Sequence, residues 1–469
     1  MSSAIVVGSG PNGLACAAVL AKRGVEVTVI EAEARIGGGT RSSELTVPGL
    51  LHDECAATHP MTVTSPATVS LELERYGLEF RWPEVDLAHP LDGGAGASML
   101  RSLEATAAGL GDGGARWRMI FGPPSEAYQR LTEDIYQPVL RIPRHPLSLI
   151  RFGAAAAAAA TVLARALGTP EAAALFGGVA AHAYAPLNRP LSAAVGAALI
   201  ACGHANGWPV AKGGSVAIAE ALAAVIREHG GRIETGRQVR SLEELPSADA
   251  VVLDLAPRGV LELAGGKLPS RVARAYRRYK HGPGAFKLDL AVEGGVPWSY
   301  EPARRAGAVH VVGRFEEAVV AEREVNRGRM PERPYVLVAQ QYLADPDRSK
   351  GDLHPVWTYA HVPSGYSGDA TAAILDQVER FAPGLRERIV AQSARTTAEI
   401  EAANANFLGG DILTGANTPF QTLIRPRFSA APYSTGIPGV FVCSAATPPG
   451  PGAHLICGYN AAEAVLRTL

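Results

Sequence analysis

Cysteine is scarce in this chain, and its residues are scattered. There are five among 469 residues, at positions 16, 55, 202, 443 and 457, and no two form a C-x-x-C pair. This spacing gives neither a disulfide framework nor a zinc site, so we expect no bound metal. Net charge is nearly absent too, because 44 basic side chains stand against 45 acidic ones. That balance gives no electrostatic basis for binding nucleic acid.

The chain also lacks an apolar run long enough to cross a bilayer, which takes roughly 20 residues. The longest stretch of mostly small apolar residues runs from Gly153 to Leu167. Arg151 lies just before it and Arg165 interrupts it. It predicts a packed alanine-rich helix, and a second interpretation is a helix that touches a membrane and admits a lipid-like substrate. The first residues do not resemble a secretory signal. The expectation is a cytoplasmic protein, with peripheral membrane contact as the second interpretation.

Common catalytic motifs are missing as well: there is no Walker loop, no H-E-x-x-H and no hydrolase triad motif. A hydrophobic content of 47% with 19% charged residues describes a globular, core-forming protein. Its 469 residues exceed one ordinary domain, so we expect two. The sequence leaves the oligomeric state open.

What is present begins at the first strand. Ala4 to Gly8 reads as a short buried strand, and Gly8-Ser9-Gly10-Pro11-Asn12-Gly13 then opens an Ala-rich helix running to about Arg23. Val25, Val27 and Val29 alternate along a second strand that ends in Glu31. This order predicts a βαβ unit with G-x-G-x-x-G at its first turn and an acid at the end of its second strand.

Each part of this unit has a physical role in binding a dinucleotide. Gly8 allows the tight turn, Gly10 lets the backbone approach a pyrophosphate, and Gly13 lets the helix pack closely on the strand. Pro11 and Asn12 begin the helix, whose N-terminus offers free N–H groups to phosphates.

Glu31 completes the predicted dinucleotide site. Its carboxylate is placed to accept hydrogen bonds from a ribose hydroxyl. We predict dinucleotide binding, the alternative being an α/β unit that has lost its nucleotide. No second G-x-G-x-x-G follows a strand, so a separate NAD(P) domain is not expected.

The segment from Ala32 to Ser42 carries a resemblance. It resembles the extension that follows the acid in flavoproteins of the amine oxidase and phytoene desaturase superfamily, which implies FAD as the cofactor. There the glycine pair Gly37 and Gly38, with Arg41, lines the FAD pyrophosphate and the route to the flavin. Glycine permits close backbone approach, and arginine neutralises phosphate charge. The alternative is a surface loop with a solvated arginine.

A second part of the resemblance lies near the other end of the chain. Gly439 to Ser444 reads as a strand, the Gly/Pro turn 448–452 follows, and a helix begins after His454 and Leu455. In the phytoene desaturase-like family this segment faces the flavin O2 and N1 edge. The resemblance implies that Gly452, His454 and Leu455 bind the flavin there. The sequence Pro-Pro-Gly-Pro-Gly at this turn differs from the family's His-Pro-Gly-Gly-Gly. This difference favours a substrate smaller than a carotenoid.

Cys457 is the one cysteine beside this turn. Covalent attachment of the monoamine oxidase type uses a cysteine well upstream of this helix, so the resemblance implies non-covalent FAD.

The middle of the chain extends the resemblance to the full length. A helix is predicted over Val216 to Glu228, a strand over Gln238 to Arg240 and another over Asp249 to Asp254. In the family the backbone around Val239 holds the adenine. His204 to Trp208, Asn404 to Asn406 and Gly409 to Asp411 are similar to bacterial phytoene dehydrogenase-like oxidoreductases.

The predicted fold is α/β (α+β overall), a Rossmann-like FAD-binding domain with an inserted substrate domain of mixed sheet plus helices. We assign residues 1–75, 210–285 and 425–469 to the FAD-binding domain. Residues 76–209 and 286–424 are assigned to the substrate-binding domain.

Two side chains are candidates for catalysis. Lys287, on the alternating strand Phe286 to Val292, resembles the lysine that holds a water at flavin N5 in amine oxidase-like flavoproteins. The alternative is a lysine at a strand edge reaching solvent. His454 is a candidate to stabilise reduced flavin or move a proton, the alternative being a histidine that caps the local backbone. His59, His182 and Tyr184 are weaker candidates, each more often a packed core residue.

The function implied by the resemblance is an FAD-dependent dehydrogenase or desaturase that transfers hydride from a C–C bond to flavin. Its substrate would be a largely apolar small molecule, with the small-residue stretches 153–167 and 180–202 beside the cavity. C–N oxidation of amine oxidase type stays open, as do a flavin-dependent saturase or isomerase. The non-enzyme alternative is a lipid-binding protein, since Rab GDP-dissociation inhibitors resemble this fold without holding FAD.

Overall fold

The computed structural model describes residues 2–469, in which strands alternate with helices along the chain. In chain order the strands are β1 (Ser3–Val7), β2 (Glu26–Ile30), β3 (Ser42–Ser43), β4 (His52–Asp53), β5 (Phe80–Arg81), β6 (Val85–Pro90), β7 (Gly96–Met99), β8 (Val210–Ala211), β9 (Arg232–Glu234), β10 (Ala250–Leu253), β11 (Gly284–Glu293), β12 (Ala306–Val311), β13 (Val336–Ala339), β14 (Leu353–Val362), β15 (Ile389–Arg395) and β16 (Val440–Val442).

The α-helices of the same residues vary from one turn to three or more. In chain order they are α1 (Pro11–Lys22), α2 (Pro66–Ser70), α3 (Leu103–Gly109), α4 (Gly114–Glu126), α5 (Tyr128–Ile135), α6 (Pro146–Ala156), α7 (Ala160–Leu167), α8 (Pro170–Ala180), α9 (Ala194–Asn206), α10 (Val216–Glu228), α11 (Pro257–Ala264), α12 (Ser270–Arg277), α13 (Phe315–Asn326), α14 (Thr371–Glu379), α15 (Thr397–Ala403), α16 (Pro419–Leu423) and α17 (Ile456–Leu466).

Five strands form a parallel sheet in the order β16-β10-β1-β2-β9. Its central strands are short valine- and isoleucine-rich runs, as strands buried on both faces require. Helices α1, α10 and α17 pack on one face and share an apolar core with it. This arrangement confirms the predicted α/β class and its Rossmann-like nucleotide unit.

The other large sheet is mixed, with seven strands in the order β15-β11-β14-β13-β12-β6-β7. Its two longest strands, β11 and β14, pair antiparallel over ten residues each. Helices α4, α6, α7, α8 and α9 cover the sheet with a core rich in alanine, leucine and phenylalanine. The mixed sheet with helices matches the architecture predicted for the second domain.

Two sequence-based expectations are wrong in detail. Gln238 to Arg240 forms no strand, although Arg237 beside it donates its N–H to the Glu31 carbonyl oxygen at 2.9 Å. The alanine-rich run Gly153 to Leu167 is not one helix, because it is divided between α6 and α7, which meet at 92°.

Among residues 2–469, no single helix is long and apolar enough to cross a membrane. The bent pair α6 and α7 passes that test together, by length and composition only.

Candidate active site

The glycine-rich turn lies where β1 ends and α1 begins. Gly8 has φ +99°, a conformation that a side chain would strain. A Cβ on Gly10 would lie 2.5 Å from Asp254 Oδ2, and one on Gly13 would collide with the Gly8 carbonyl oxygen. The three glycines therefore hold strand, helix and β10 closer together than any other residue permits.

Glu31 follows β2 and turns back to this loop. Its Oε2 accepts hydrogen bonds from the Ser9 N–H at 2.7 Å and the Ser9 hydroxyl at 2.5 Å, and its Oε1 accepts from the Glu33 N–H at 2.9 Å. The side chain is 7% exposed. A buried carboxylate fixed in this way stands beside the turn, where a ribose ligand is predicted.

Asp254 is a site residue that the motif analysis did not single out. It follows β10, whose Leu253 pairs with Val7, so it lies at the same sheet edge as the glycine turn. Its Oδ2 accepts the Gly13 N–H at 3.1 Å. Burial, together with the charge of Glu31, raises the pKa of this carboxyl to about 7. The sequence signal for this residue was an acidic side chain at the end of a buried strand. Its position beside the glycine turn could not be predicted, because Gly13 and Asp254 lie 241 residues apart in the chain.

The segment after Glu31 returns to the same turn. Gly37 donates its N–H to the Ser9 carbonyl oxygen at 2.9 Å, and a Cβ on Gly38 would lie 3.0 Å from Gly10 Cα. This close approach of backbones is what the predicted glycine pair provides.

Arg41 is held by the protein itself. Its guanidinium donates to the carbonyl oxygens of Arg35 and Ala403 at 2.8 to 3.2 Å and lies 3.8 Å from Glu31 Oε1. The side chain is buried, which excludes the solvated-loop alternative. Phosphate contact by Arg41 stays a prediction that requires exchange of some of these hydrogen bonds.

The C-terminal turn precedes α17. Leu455 adopts φ +68° at its start, an unusual conformation for a side chain of this size. His454 accepts the Ile456 N–H at Nδ1, 3.1 Å away, so its Nε2 carries the proton and faces the Gly450 carbonyl oxygen at 3.2 Å. Burial lowers the pKa of His454 to about 4. These contacts match the backbone-capping alternative, and a proton role for His454 would require them to break.

A small cavity of about 30 Å³ brings together Gly38, Arg41 and Lys287. That volume suits a single water, and the Phe407 ring lies against Gly39. A larger group enters only if Phe407 and its neighbours move. The remaining lining mixes charged, aromatic and aliphatic groups: Gly39, Glu54, Cys55, Ala285, Trp357, Tyr359, Arg395, Ile400, Ala403, Asn404, Phe407 and Ile412.

Lys287 lies on β11 and is 3% exposed, so it does not reach solvent at a strand edge. Its ammonium pairs closely with Asp289 and lies 5.5 Å from the centre of the Trp357 ring. Burial lowers the pKa of Lys287, while the charge of Asp289 opposes that shift. Burial alone would raise the pKa of Asp289, but the charge of Lys287 and the contact with His52 hold it below its usual value.

Polar groups continue from Lys287 toward the surface. Asp289 Oδ1 lies 3.4 Å from His52 Nδ1, and His52 Nε2 lies 2.8 Å from the hydroxyl of Thr46. His52 and Asp289 are buried, whereas Thr46 is half-buried. These groups form a polar row from the cavity toward solvent, in which His52 Nδ1 and Asp289 Oδ1 make no hydrogen bond. His52 and Asp289 were not identified from the sequence.

The weaker candidates contact other side chains in the protein interior. His59 Nε2 lies 2.8 Å from the Ser215 hydroxyl, and His182 Nε2 lies 3.0 Å from His310 Nε2. The Tyr184 ring stands 3.7 Å from the His361 ring in the buried centre of the second sheet. Val239 is partly buried in the apolar cluster under the nucleotide sheet.

A buried ion pair joins segments that lie far apart in the chain. Arg348 donates to Asp53 at 2.6 Å and to the Ala211 carbonyl oxygen at 2.6 Å, and Asp53 accepts the Ser215 N–H at 2.7 Å. Burial alone would raise the pKa of Asp53, but the charge of Arg348 holds it below its usual value. No sequence motif marks this pair, since its members lie 295 residues apart.

The residues around the first turn fit a dinucleotide. Asn12 Oδ1 is buried and has no hydrogen-bond partner, and the approach of Gly10 and Gly38 leaves no room for side chains. The N–H groups at the start of α1, beside these glycine backbones, are the donors that a bound pyrophosphate would use, whereas Asn12 Oδ1 is an acceptor and awaits a donor.

The similarity to known sequences agrees with this geometry. Residues 6–70 match the family of NAD(P)-binding Rossmann-like domains. Pyridine nucleotide-disulfide oxidoreductase domain-containing protein 2 of Rattus norvegicus is 22% identical, over 99% of this chain and 93% of that protein. A thiamine thiazole synthase of Methanoculleus marisnigri is 43% identical, over 11% of this chain and 21% of that protein. The match to the family covers the βαβ unit that contains the glycine turn and Glu31.

Solved structures share the whole architecture. An oxidoreductase from Methanosarcina mazei has a TM-score of 0.65 at 15% identity, covering 99% of this chain and 100% of that one. A putrescine oxidase bound to putrescine has a TM-score of 0.61 at 16% identity, covering 99% of both chains. Cyclohexylamine oxidase from Brevibacterium oxydans has a TM-score of 0.59 at 15% identity, covering 99% of both chains. These likenesses show a fold shared with amine-oxidase-type oxidoreductases.

Proposed function

We propose that this chain is an FAD-dependent oxidoreductase that removes a hydride and a proton from adjacent carbons of a largely apolar small molecule. The observation that carries the proposal is the meeting of two predicted sets of residues. The glycines of the dinucleotide turn contact Gly38, and Gly38 shares a cavity with Lys287. A dinucleotide bound at the glycine turn would thus have its reactive end directed toward Lys287.

FAD would supply the acceptor for the hydride, and this chain's own residues would bind it and manage the proton. Asn12, the helix α1 N-terminus and Glu31 would hold the dinucleotide, without a covalent bond. Cys457 supports this, because its thiol lies 3.3 Å from the Gly450 carbonyl oxygen and burial raises its pKa to about 11. A buried neutral thiol is a poor nucleophile.

Lys287 would take the proton that leaves the substrate carbon. Burial favours its neutral amine, which is the form that accepts a proton. Asp289 positions the amine and stabilises the ammonium that forms. His52 and Thr46 would connect that charge to solvent once His52 closes its 3.4 Å distance to Asp289.

The charges around the cavity favour carbon–carbon over carbon–nitrogen oxidation. Two guanidinium groups, those of Arg41 and Arg395, face it with one carboxylate, Glu54, while Lys287 is neutral in the form that accepts a proton. A protonated amine entering this cavity would meet like charge, whereas an uncharged molecule would not. The apolar part of the lining would hold such a molecule.

Amine oxidation is the second candidate, because solved structures of the same fold are oxidases of putrescine and cyclohexylamine. Trp357 and Tyr359 give the cavity an aromatic wall, with ring centroids 5.0 Å apart, that suits a cation as well as an apolar group.

The first test is the spectrum of the purified protein. We expect one FAD per chain, released completely into the supernatant by acid precipitation. Colour kept in the pellet would contradict non-covalent binding. Colourless protein that does not bind added FAD would contradict the proposed enzymatic function and favour a lipid-binding protein.

The second test identifies the bond that reacts. Under anaerobic conditions we expect bleaching of the flavin by apolar molecules with an activated C–C bond and none by amines. Reduction by amines alone would establish the second candidate. Reduction by neither, with conversion of an unsaturated molecule after chemical reduction, would indicate a saturase or isomerase.

A further inference from the structure

Five large apolar side chains lie open to solvent within one short stretch of the chain. Their exposed fractions are 57% for Val139, 44% for Leu140, 89% for Ile142, 73% for Leu147 and 67% for Ile150. We call residues 138–151 the apolar-basic segment. Clustered exposed apolar side chains of this size mark a surface that meets a partner or a membrane.

Basic residues alternate with these side chains. Arg141, Arg144 and Arg151 lie in the apolar-basic segment, which contains no aspartate or glutamate. Arg144 is 68% exposed and lies 3.3 Å from Glu133, Arg141 lies 3.6 Å from Asp134, and Arg151 is exposed and faces the same solvent as the apolar groups. Arginine beside exposed isoleucine and leucine is the chemistry that recognises an anionic lipid surface.

The apolar-basic segment also forms one wall of a large groove. Leu140, Arg141 and Arg144 line this groove of about 1020 Å³, together with Tyr136 and Asn460. It thus extends from the exposed segment to helix α17.

The floor of the groove reaches the predicted flavin turn. Asn460 donates to the Tyr136 carbonyl oxygen at 2.8 Å, and the Tyr136 ring stacks on His454 with 6.0 Å between centroids. One ring therefore separates the groove from His454.

We propose that the apolar-basic segment docks this protein on an anionic lipid bilayer. Val139, Ile142, Leu147 and Ile150 enter the interface and the arginines contact lipid phosphates. The groove then opens toward the membrane, so that a ligand dissolved in lipid enters it without crossing water and lies one ring, that of Tyr136, away from His454. The docking itself does not depend on the proposed function.

A second copy of the chain is a poorer occupant of this surface. A two-fold dimer would place the same patch on both partners, so that Arg144 and Arg151 would face arginines. Like charges across an interface are costly, whereas lipid phosphates neutralise them.

The test is co-sedimentation of the full chain with vesicles of phosphatidylglycerol and phosphatidylcholine in equal parts, compared with phosphatidylcholine alone. We expect binding to the anionic vesicles that weakens with salt, and much weaker binding to the neutral ones. I142E with L147E should lower binding by roughly tenfold or more, because two apolar groups are lost and two charges are repelled.

M119E with V320E is the matched control, since Met119 and Val320 are 69% and 45% exposed outside the segment. It should bind vesicles like the wild type, with both variants melting at the wild-type temperature. Three results would each overturn the proposal: wild-type protein that stays in the supernatant, equal loss in both variants, or a wild-type dimer that I142E with L147E dissociates. FAD content is measured on the same samples, so failure of the proposed function is seen separately.

Discussion

At the scale of single residues, two carboxylates control the dinucleotide turn from opposite sides. Glu31 holds the Ser9 end of the loop, and Asp254 accepts the N–H of Gly13. The Glu31 carboxylate already has protein donors, so a ribose hydroxyl would have to join or replace them. Its removal should therefore affect the loop as well as the ligand.

Glu31→Ala is expected to weaken FAD binding by about 10- to 150-fold. The reason is the loss of hydrogen bonds to a charged acceptor, which contribute about 1.5–3 kcal/mol. Titration of apoprotein with FAD measures the dissociation constant. Ser9→Ala is the control, because it removes one donor to Glu31 and leaves the carboxylate in place. An unchanged constant in Glu31→Ala would show that Glu31 is not the ribose ligand.

Lys287→Met is expected to slow flavin reduction or reoxidation while FAD stays bound. It should also lower the free energy of unfolding by about 3–5 kcal/mol, because Asp289 is left as an unpaired buried charge. Stopped-flow kinetics and chemical denaturation measure the two effects.

Adding Asp289→Asn to Lys287→Met separates the effects. The second change removes the unpaired charge, so stability should recover while the slow kinetics persist. If rates in Lys287→Met equal those of the wild type, Lys287 has no role at the flavin.

The sequence predicted the residues of the turn because their spacing is local. Gly8 to Gly13 and Glu31 belong to one βαβ unit, whose geometry follows from one strand, one helix and the next strand. Asp254 and the Asp289–His52 contact lie beyond such reasoning, since each requires strands from distant parts of the chain to pair. Charge partners of this kind become visible only when the sheet order is known.

At the scale of elements, the first and last helices cross at a glycine. A Cβ on Gly458 of α17 would collide with the Asn12 carbonyl oxygen at the start of α1. The helix that carries the dinucleotide turn is thereby positioned by the end of the chain. Helices that approach this closely tolerate no added volume.

Gly458→Ala is expected to lower the free energy of unfolding by about 1–3 kcal/mol through overpacking. Gly153→Ala is the matched control, since Gly153 lies in helix α6 with no atom within 4 Å of an added Cβ. That variant should gain about 0.8–1 kcal/mol from helix propensity. Denaturant unfolding of both variants provides the comparison, and equal effects would refute the close crossing.

The elements that were predicted incorrectly failed for identifiable reasons. Helix propensity alone predicts a single helix over the alanine-rich run. The break between α6 and α7 is stabilised by hydrogen bonds to residues outside that run. Ala160 donates its N–H to the Ser192 hydroxyl at 2.9 Å, and Thr161 donates to the Leu187 carbonyl oxygen at 3.1 Å. At Gln238 to Arg240 the Arg240 N–H bonds to Glu244 at 3.0 Å, so that residue joins a local turn and no strand ladder.

At the scale of the whole molecule, burial favours the neutral form of six histidines in the interior. Burial lowers the pKa of each below its usual value: to about 4 for His59, His89, His204 and His454, to about 3 for His182, and further for His310. The unfolded chain binds these protons near pH 6.5, whereas the folded chain does not.

The contribution of these histidines to stability is therefore expected to be full above about pH 6.5 and to be lost as the pH drops toward 4. Asp254 and Asp86 act in the opposite direction, because burial raises their pKa to about 7 and about 6, but they are two groups against six. Urea unfolding at pH values across this window measures the change. His59→Gln should flatten the pH dependence in part, and a midpoint that rises on acidification would contradict the explanation.

The order of strands in the nucleotide sheet has a consequence for synthesis on the ribosome. β1 is made among the first residues, but its neighbour β10 comes some 240 residues later and β16 closes the edge only at Val440. At ordinary translation rates, on the order of 20 to 90 seconds separate β1 from β16. During that time β1 has a neighbour, β2, on one side only, and the side of α1 that packs on α17 has no partner. The nascent chain is thus a natural client for chaperones, and its first domain is completed last.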